Sequence, residues 1–318
     1  MFLRILAYII TILAFILNQA EAEECRIQKQ SSLPITFNGF MPTVPAYINS
    51  QEVNIGIDTG SYLSIISSEI VEKLGLPTDT FRFTNLMGTD GFKQAGGVIV
   101  DTMQFGNVIY RKMSMPVIRI VFDPGQLQSP DNSDSDIKSV MAGLIGMNIL
   151  SKYDIEFDMP GHTLTLNHIE GCSNFIPSWQ RPFSRVPVTI TDSKKFILPV
   201  LVNGHKMTAI FDTGASEIIL SRSAAERIGI TDEMLRKNDT DIGYGMAGKG
   251  EKIYMHQFNS IKIGEEVFNN LAIGITDFPA DEADMLIGES YMKNHKFLLS
   301  YASKSLFIKK AEQAAINF

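Results

Sequence analysis

The chain has 318 residues, a formal net charge of −7 at pH 7 and a mean hydropathy of +0.06. This length allows about two domains, and the composition is that of a globular protein rather than a disordered one. An acidic chain without a basic cluster lacks the electrostatic footprint needed to bind nucleic acid or anionic lipid. We therefore expect no nucleic-acid partner.

The first 22 residues have the pattern of a secretory signal peptide. Arg4 precedes an apolar run from Ile5 to Leu17, and Ala20-Glu21-Ala22 resembles a small-residue cleavage site. The run is shorter than the roughly 20 residues that span a bilayer. We expect cleavage after Ala22 and an exported mature chain, periplasmic or secreted, that does not contact the membrane. An uncleaved membrane anchor is the alternative.

Two cysteines, Cys25 and Cys172, follow the signal segment. In an exported protein an even pair favours a disulfide. This bond would tie the N-terminus of the mature chain to the segment between the two halves described below. Two unrelated thiols are the alternative.

The rest of the chain is an internal duplication. Residues 46–76 and 200–230 align without a gap, so that Asp212 lies 154 residues after Asp58. Both aspartates begin an Asp-Thr-Gly segment, and both follow a run of apolar residues.

A second repeated segment lies downstream of the first. Leu144-Ile145-Gly146 and Leu286-Ile287-Gly288 are 142 residues apart, so the first copy carries 12 additional residues. We assign these residues to the polar, turn-rich stretch at 123–136. The predicted division is a first lobe at 23–168, a linker at 169–186 and a second lobe at 187–318.

Both copies have the same predicted order of elements. Alternating apolar strands lead through Asn-Ser or Asn-Gly turns into the strand that precedes Asp-Thr-Gly. A short helix follows, at 68–74 or at 223–228, and Ser223 and Glu226 have the spacing of a capping box. A glycine-rich hairpin and further short strands complete each unit. The fold class is therefore predicted to be all-β, with closed or sandwiched sheets.

The Asp-Thr-Gly segments indicate a site with two carboxylates. Asp58 and Asp212 each come after a buried strand and before a glycine turn, where a carboxylate is not solvated like a surface residue. On duplicated units the two groups are expected to face each other. Such a pair shares one proton, because two like charges at close range cannot both ionise. This chemistry requires no metal and no cofactor, and we expect neither.

These segments, each with a later Leu-Ile-Gly, resemble the aspartic peptidases of the pepsin and retropepsin type. They are most similar to bacterial retropepsin-like proteases with two fused copies, and the resemblance extends over residues 35–310. It implies a bilobal acid-protease fold, in which two retropepsin-like β-barrel lobes hold the active site between them. It also implies an aspartic endopeptidase that acts as a monomer on a peptide or protein substrate in an extended conformation.

The resemblance makes Asp58 and Asp212 the catalytic dyad. The threonines beside them would form hydrogen bonds across the two loops, and the glycines would turn the chain and offer amide donors. These supporting residues are Thr59, Gly60, Ser61, Thr213 and Gly214. The segments expected to pack beneath the loops are Leu144, Ile145, Gly146, Leu286, Ile287 and Gly288. The hairpins would be flaps over the substrate, with Gly88, Gly91, Tyr244 and Gly245 as flap residues.

The two copies differ after the glycine, where Ser61 of the first corresponds to Ala215 of the second. We expect the Ser61 hydroxyl to bond the outer oxygen of Asp58 and to favour its charged form. Asp58 would then be ionised, and Asp212 would hold the shared proton.

Two questions remain open from the residues alone. In pepsin-like enzymes the flap tyrosine lies in the first lobe, whereas here Tyr244 belongs to the second copy and is alternatively a turn residue. The alternative function for the whole chain is a non-catalytic envelope protein that binds peptides in the same cleft. Binding of peptides without cleavage would distinguish that function from a peptidase.

Overall fold

The computed structural model describes residues 25–39, 41–88, 91–120, 140–245, 250–279 and 281–311. The predicted signal peptide and the predicted insertion at 123–136 lie outside these residues. Within them, no helix is long and apolar enough to cross a membrane.

The first half of the chain is mostly strand. Its elements are β1 (Arg26–Pro34), β2 (Thr36–Asn38), β3 (Met41–Ile48), β4 (Gln51–Ile57), β5 (Ile65–Ser67), α1 (Ser68–Leu74), β6 (Thr78–Gly88), β7 (Gly91–Phe105), β8 (Val108–Ile118), β9 (Met141–Ile145), α2 (Met147–Leu150), β10 (Asp154–Asp158) and β11 (Thr163–Glu170). Helix α1 has the predicted bounds.

The second half contains an equivalent series of elements. They are β12 (Ser184–Pro187), β13 (Thr189–Ile190), β14 (Phe196–Val202), β15 (His205–Phe211), β16 (Ile219–Ser221), α3 (Arg222–Arg227), α4 (Asp232–Leu235), β17 (Thr240–Tyr244), β18 (Gly250–Ile263), β19 (Glu266–Thr276), β20 (Met285–Ile287), α5 (Glu289–Met292), β21 (His295–Ser300) and β22 (Ser305–Lys310).

The two halves form matching eight-stranded sheets. The strand orders are β2-β3-β4-β9-β5-β8-β7-β6 and β13-β14-β15-β20-β16-β19-β18-β17. Additional pairings of β3 with β7 and of β14 with β18 curl each sheet back on itself into a barrel-like lobe. The all-β prediction is confirmed, and the internal duplication appears in the topology strand by strand.

A third sheet joins the halves. Its order is β1-β11-β10-β21-β22-β12, so three strands come from each half. Phe157 pairs with Phe297 across the junction, and their rings stack with centroids 4.8 Å apart. At the edge of this sheet, Cys25 and Cys172 form a disulfide. The shared sheet therefore connects the two lobes.

The strands that lead to the two aspartates become buried on both faces as they approach them. In β15, Lys206 and Thr208 are exposed and alternate with buried residues, whereas Ala209 to Phe211 are all buried. Strand β4 follows the same pattern toward Asp58. Each aspartate therefore stands at the end of a strand that enters the apolar interior.

Helix α3 begins one residue earlier than predicted. The hydroxyl of Ser221, the last residue of β16, accepts a hydrogen bond from the Ala224 amide at 3.1 Å and caps the helix. The predicted capping box of Ser223 and Glu226 is wrong, because the N-cap is Ser221 and Ser223 lies inside the first turn of the helix.

Candidate active site

The two Asp-Thr-Gly loops are held by the Leu-Ile-Gly segments. Strand β4 runs parallel to β9, and β15 runs parallel to β20. The Asp58 amide donates to the Ile145 carbonyl at 3.0 Å, and the Asp212 amide donates to the Ile287 carbonyl at 3.0 Å. The second repeated segment of each copy therefore fixes the backbone of the aspartate in the first.

The glycines of these segments lie directly beneath the loops. A Cβ atom on Gly146 would lie 2.7 Å from the Leu63 carbonyl oxygen, and one on Gly288 would lie 2.5 Å from that of Ala215. The next amide, that of Glu289, donates to the same Ala215 oxygen at 2.9 Å. Only a residue without a side chain allows this close approach.

Two threonines connect the loops across the boundary between the lobes. The Thr59 hydroxyl donates to the Phe211 carbonyl at 2.7 Å and accepts from the Thr213 amide at 3.0 Å. The Thr213 hydroxyl donates to the Ile57 carbonyl at 2.6 Å and accepts from the Thr59 amide at 3.0 Å. Both threonines are at most 1% exposed. Four buried hydrogen bonds therefore hold the two loops in register.

The two carboxyl groups meet between these loops and share a hydrogen bond. Asp58 also accepts the amides of Gly60 and Ser61, each at 2.9 Å, and Asp212 accepts that of Gly214 at 2.8 Å. A Cβ on Gly60 would overlap the Asp212 carboxyl, and one on Gly214 would crowd that of Asp58. Each glycine thus leaves room for the opposite carboxyl.

Burial raises the pKa of both carboxyls above their ordinary value of 3.8. The nearby charge of Asp212 raises the pKa of Asp58 further, and Asp58 is only 8% exposed. For Asp212, the Gly214 amide, the Lys195 ammonium and the hydrogen bond with Asp58 oppose the effect of burial. The pair is therefore arranged to retain one proton at pH values at which two isolated carboxyls would both be ionised.

The Ser61 hydroxyl does not bond the Asp58 carboxylate. It donates to the Leu63 carbonyl at 2.9 Å, within its own loop, while the Ser61 amide bonds the carboxylate. The predicted hydroxyl bond is wrong, because the single hydroxyl proton of Ser61 is donated to the Leu63 carbonyl. If one aspartate is ionised more readily than the other, the cause must therefore be a group other than the Ser61 hydroxyl.

Sequence reasoning missed a brace that only the first loop has. Asn148 accepts hydrogen bonds from the amide and the hydroxyl of Ser64, at 2.9 and 2.7 Å. The same hydroxyl accepts the Gly146 amide at 3.0 Å. The corresponding residues of the second copy are Ile218 and Ser290. The replacement of Ser64 by Ile218 in the alignment of the two copies was the sequence signal that could have indicated this brace.

The predicted flaps are hairpins. In the first, formed by β6 and β7, Gly88 pairs with Gly91. In the second, formed by β17 and β18, Tyr244 pairs with Gly250 and is 45% exposed. Tyr244 ends its strand, and Gly245 follows it.

Two small apolar clusters adjoin the site, separate from the main core. Each contains the leucine of a Leu-Ile-Gly segment together with residues of a flap hairpin. The first consists of Met41, Ile65, Leu86, Ala95, Ile118, Met141 and Leu144, and the second of Ile197, Ile210, Ile219, Ala283 and Leu286, with Ile253 of the flap packed against it. Among the described residues, no group of three or more His, Cys, Asp or Glu side chains could hold a metal ion.

Two barrel-like β lobes, each with an Asp-Thr-Gly loop, fit the two-lobed fold of a retropepsin-like aspartyl protease. Comparison with known proteins agrees with this assignment. Residues 44–149 match the aspartyl protease family, and residues 198–294 match the gag-polyprotein putative aspartyl protease family. Both halves of the chain thus carry an aspartyl protease domain, and the resemblance seen in the motifs is confirmed.

One curated relative also matches part of the chain. DNA damage-inducible protein 1 from Kluyveromyces lactis is 28% identical over 126 residues. The match covers 40% of this chain and 29% of that protein. Most of the relative therefore has no counterpart in the match.

Proposed function

We propose that the chain is an exported aspartic endopeptidase in which Asp58 and Asp212 activate one water molecule. The observation that carries this proposal is the meeting of the two carboxyls between two duplicated and braced loops, where the glycine of each loop lies against the carboxyl of the other. Paired carboxyls with raised pKa values are suited to acid–base catalysis, because one is a base while the other is an acid.

The proposed reaction follows from that single shared proton. The ionised carboxylate takes a proton from the water, whose oxygen bonds to the scissile carbonyl carbon. The protonated carboxyl donates its hydrogen bond to the carbonyl oxygen and stabilises the tetrahedral intermediate. The C–N bond then breaks as the leaving amine takes a proton from the dyad. The threonine cross-braces hold both carboxyls in place, so little reorganisation is needed.

The apolar clusters beside the dyad support a preference for apolar side chains on both sides of the scissile bond. The flap hairpins also expose large apolar side chains, as expected of surfaces that close over a substrate. These residues are Phe83, Met87, Phe92, Ile242 and Tyr244. A peptide in an extended conformation would pass between the hairpins and the dyad, and Gly88, Gly91 and Gly245 would allow the hairpins to bend.

Export is proposed from two independent features. The N-terminal segment has a signal-peptide pattern, and the Cys25–Cys172 disulfide is of a kind that persists in oxidising compartments. We propose a monomer in the periplasm or outside the cell, because one chain supplies both aspartates and the sheet that joins the lobes.

The test is cleavage of a denatured protein and a peptide library between pH 3 and 8 by the chain from residue 23 onward. Asp58→Asn and Asp212→Asn should each abolish cleavage, whereas Asp101→Asn, at an exposed position of β7, should not. A peptide with a secondary alcohol in place of the scissile carbonyl should inhibit the parent. A folded parent that binds peptides but does not cleave them at any pH would replace this proposal with peptide binding.

A further inference from the structure

The duplication sets one residue opposite each aspartate. The antiparallel pairing of β3 with β4, continued past its last paired residues, brings Met41 opposite Asp58. The pairing of β14 with β15, continued by the same two residues, brings Lys195 opposite Asp212. Met41 and Lys195 are also 154 residues apart, as the two aspartates are. They are therefore equivalent positions with different chemistry.

The surroundings of these positions differ in the same way. Met41 is 4% exposed and packs in the apolar cluster of the first lobe. Lys195 forms an ion pair with Glu282 at 2.6 Å, in which the side chains are 17% and 35% exposed. The Ser193 hydroxyl also bonds Glu282. The position that holds an apolar residue in the first lobe thus holds, in the second, a positive charge paired with a negative one.

The charged groups near Asp212 come from several elements. Asp58 faces it from the first lobe, and the Lys195 ammonium, from the turn between β13 and β14, lowers its pKa against the effect of burial. Burial also raises the pKa of Glu282, but hydrogen bonds from Lys195 and Ser193 outweigh this and lower it. Two further carboxylates belong to this lobe. Glu217, five residues after Asp212, is exposed, and Glu289, the first residue of α5, interacts with Lys293.

We propose that the Lys195–Glu282 pair makes the dyad unequal, so that Asp212 carries the negative charge and Asp58 holds the proton. The ammonium stabilises the Asp212 carboxylate, and Glu282 limits that effect by neutralising part of the ammonium's charge. Asp212 would then be the base that activates water, and Asp58 would be the acid. Lys195 acts through Asp212 and is a positioning residue. The inference rests on the proposed function of this site.

The first test is the pH dependence of kcat/KM, whose acid limb reports the ionisation of the dyad in the free enzyme. Lys195→Met, which installs the residue of the first lobe, should move the limb to higher pH and reduce activity about three- to tenfold at a pH on that limb. Glu282→Gln should move it to lower pH. Lys195→Arg should retain the parent limb, and Lys206→Met, at an exposed position of β15, is the control for net charge.

Opposite shifts in Lys195→Met and Glu282→Gln would support the proposal. An unchanged limb in both variants, or shifts of the same sign, would overturn it, because an ion pair that only stabilises the loop would not move the limb in two directions. If Lys195→Met does not fold, Glu282→Gln and Lys195→Arg still test the assignment.

The second test needs no turnover. Carbon-13 NMR titration of the aspartate carboxyls in the parent, with Asp58→Asn and Asp212→Asn for assignment, should show Asp212 ionising at lower pH than Asp58. If this order is found in a chain that cleaves nothing, the charge assignment stands and the proposed peptidase function fails. If the order is reversed in an active enzyme, the function stands and this inference fails.

Discussion

Replacing Thr59 with valine would remove one hydroxyl from the junction between the lobes without changing the volume of the side chain. The Phe211 carbonyl would lose its donor, and the Thr213 amide would lose its acceptor. Thr59 is 1% exposed, so water does not reach these groups readily. A buried polar group without a partner costs roughly 1–3 kcal/mol. We therefore expect the free energy of unfolding to fall by about 2–6 kcal/mol.

Urea unfolding of Thr59→Val beside the parent would measure this loss. Thr59→Ser keeps the hydroxyl and should recover most of the stability. Thr43→Val is the matched control: Thr43 is 2% exposed, but its hydroxyl bonds only Thr36, which is itself exposed. The control should lose about 1 kcal/mol. A loss in Thr59→Val no larger than that of the control would refute the reasoning about the cross-brace.

Three further predictions concern the dyad and the shared sheet. Burial raises the pKa of Asp58, so the folded state holds the Asp58 proton more tightly than the unfolded chain does. The stability that this proton contributes is full below pH 3.8 and is lost as the pH rises through the raised pKa. The melting temperature of Asp58→Asn should therefore exceed that of the parent increasingly above about pH 4, with no gain at about pH 3. Gly214→Ala should lower kcat about a hundredfold by displacing the Asp58 carboxyl, whereas Gly96→Ala, which has open space around it, should not. Replacing Cys25 and Cys172 together by serine should lower the free energy of unfolding in urea by about 2–4 kcal/mol, with kcat unchanged.

The asymmetry at position 195 could be read from the alignment of the two halves, but its meaning could not. A lysine in place of methionine is a visible difference between the copies. Its partner, Glu282, lies 87 residues further along the chain. Only the fold brings this pair to Asp212, so the sequence alone led to the opposite assignment of the shared proton, based on Ser61.

The hydroxyl groups illustrate the same limit on a smaller scale. The sequence suggested partners for Ser61 and Ser223 and none for Ser64. Each outcome depended on which acceptor or donor lay within about 3 Å after folding. For Ser64 that partner was Asn148, in another element, and for the cap of α3 the nearer Ser221 replaced Ser223.

The sequence by itself determined the duplication, the all-β class, the bounds of α1 and the two Asp-Thr-Gly segments of an aspartyl protease. These features depend on local patterns, namely strand alternation, glycine turns and apolar runs, and each pattern occurs twice. The tertiary structure alone decided which groups surround the two carboxyls. Hydrogen bonds and charge effects act over a few ångströms between residues that are far apart in the chain, and no local pattern records that proximity.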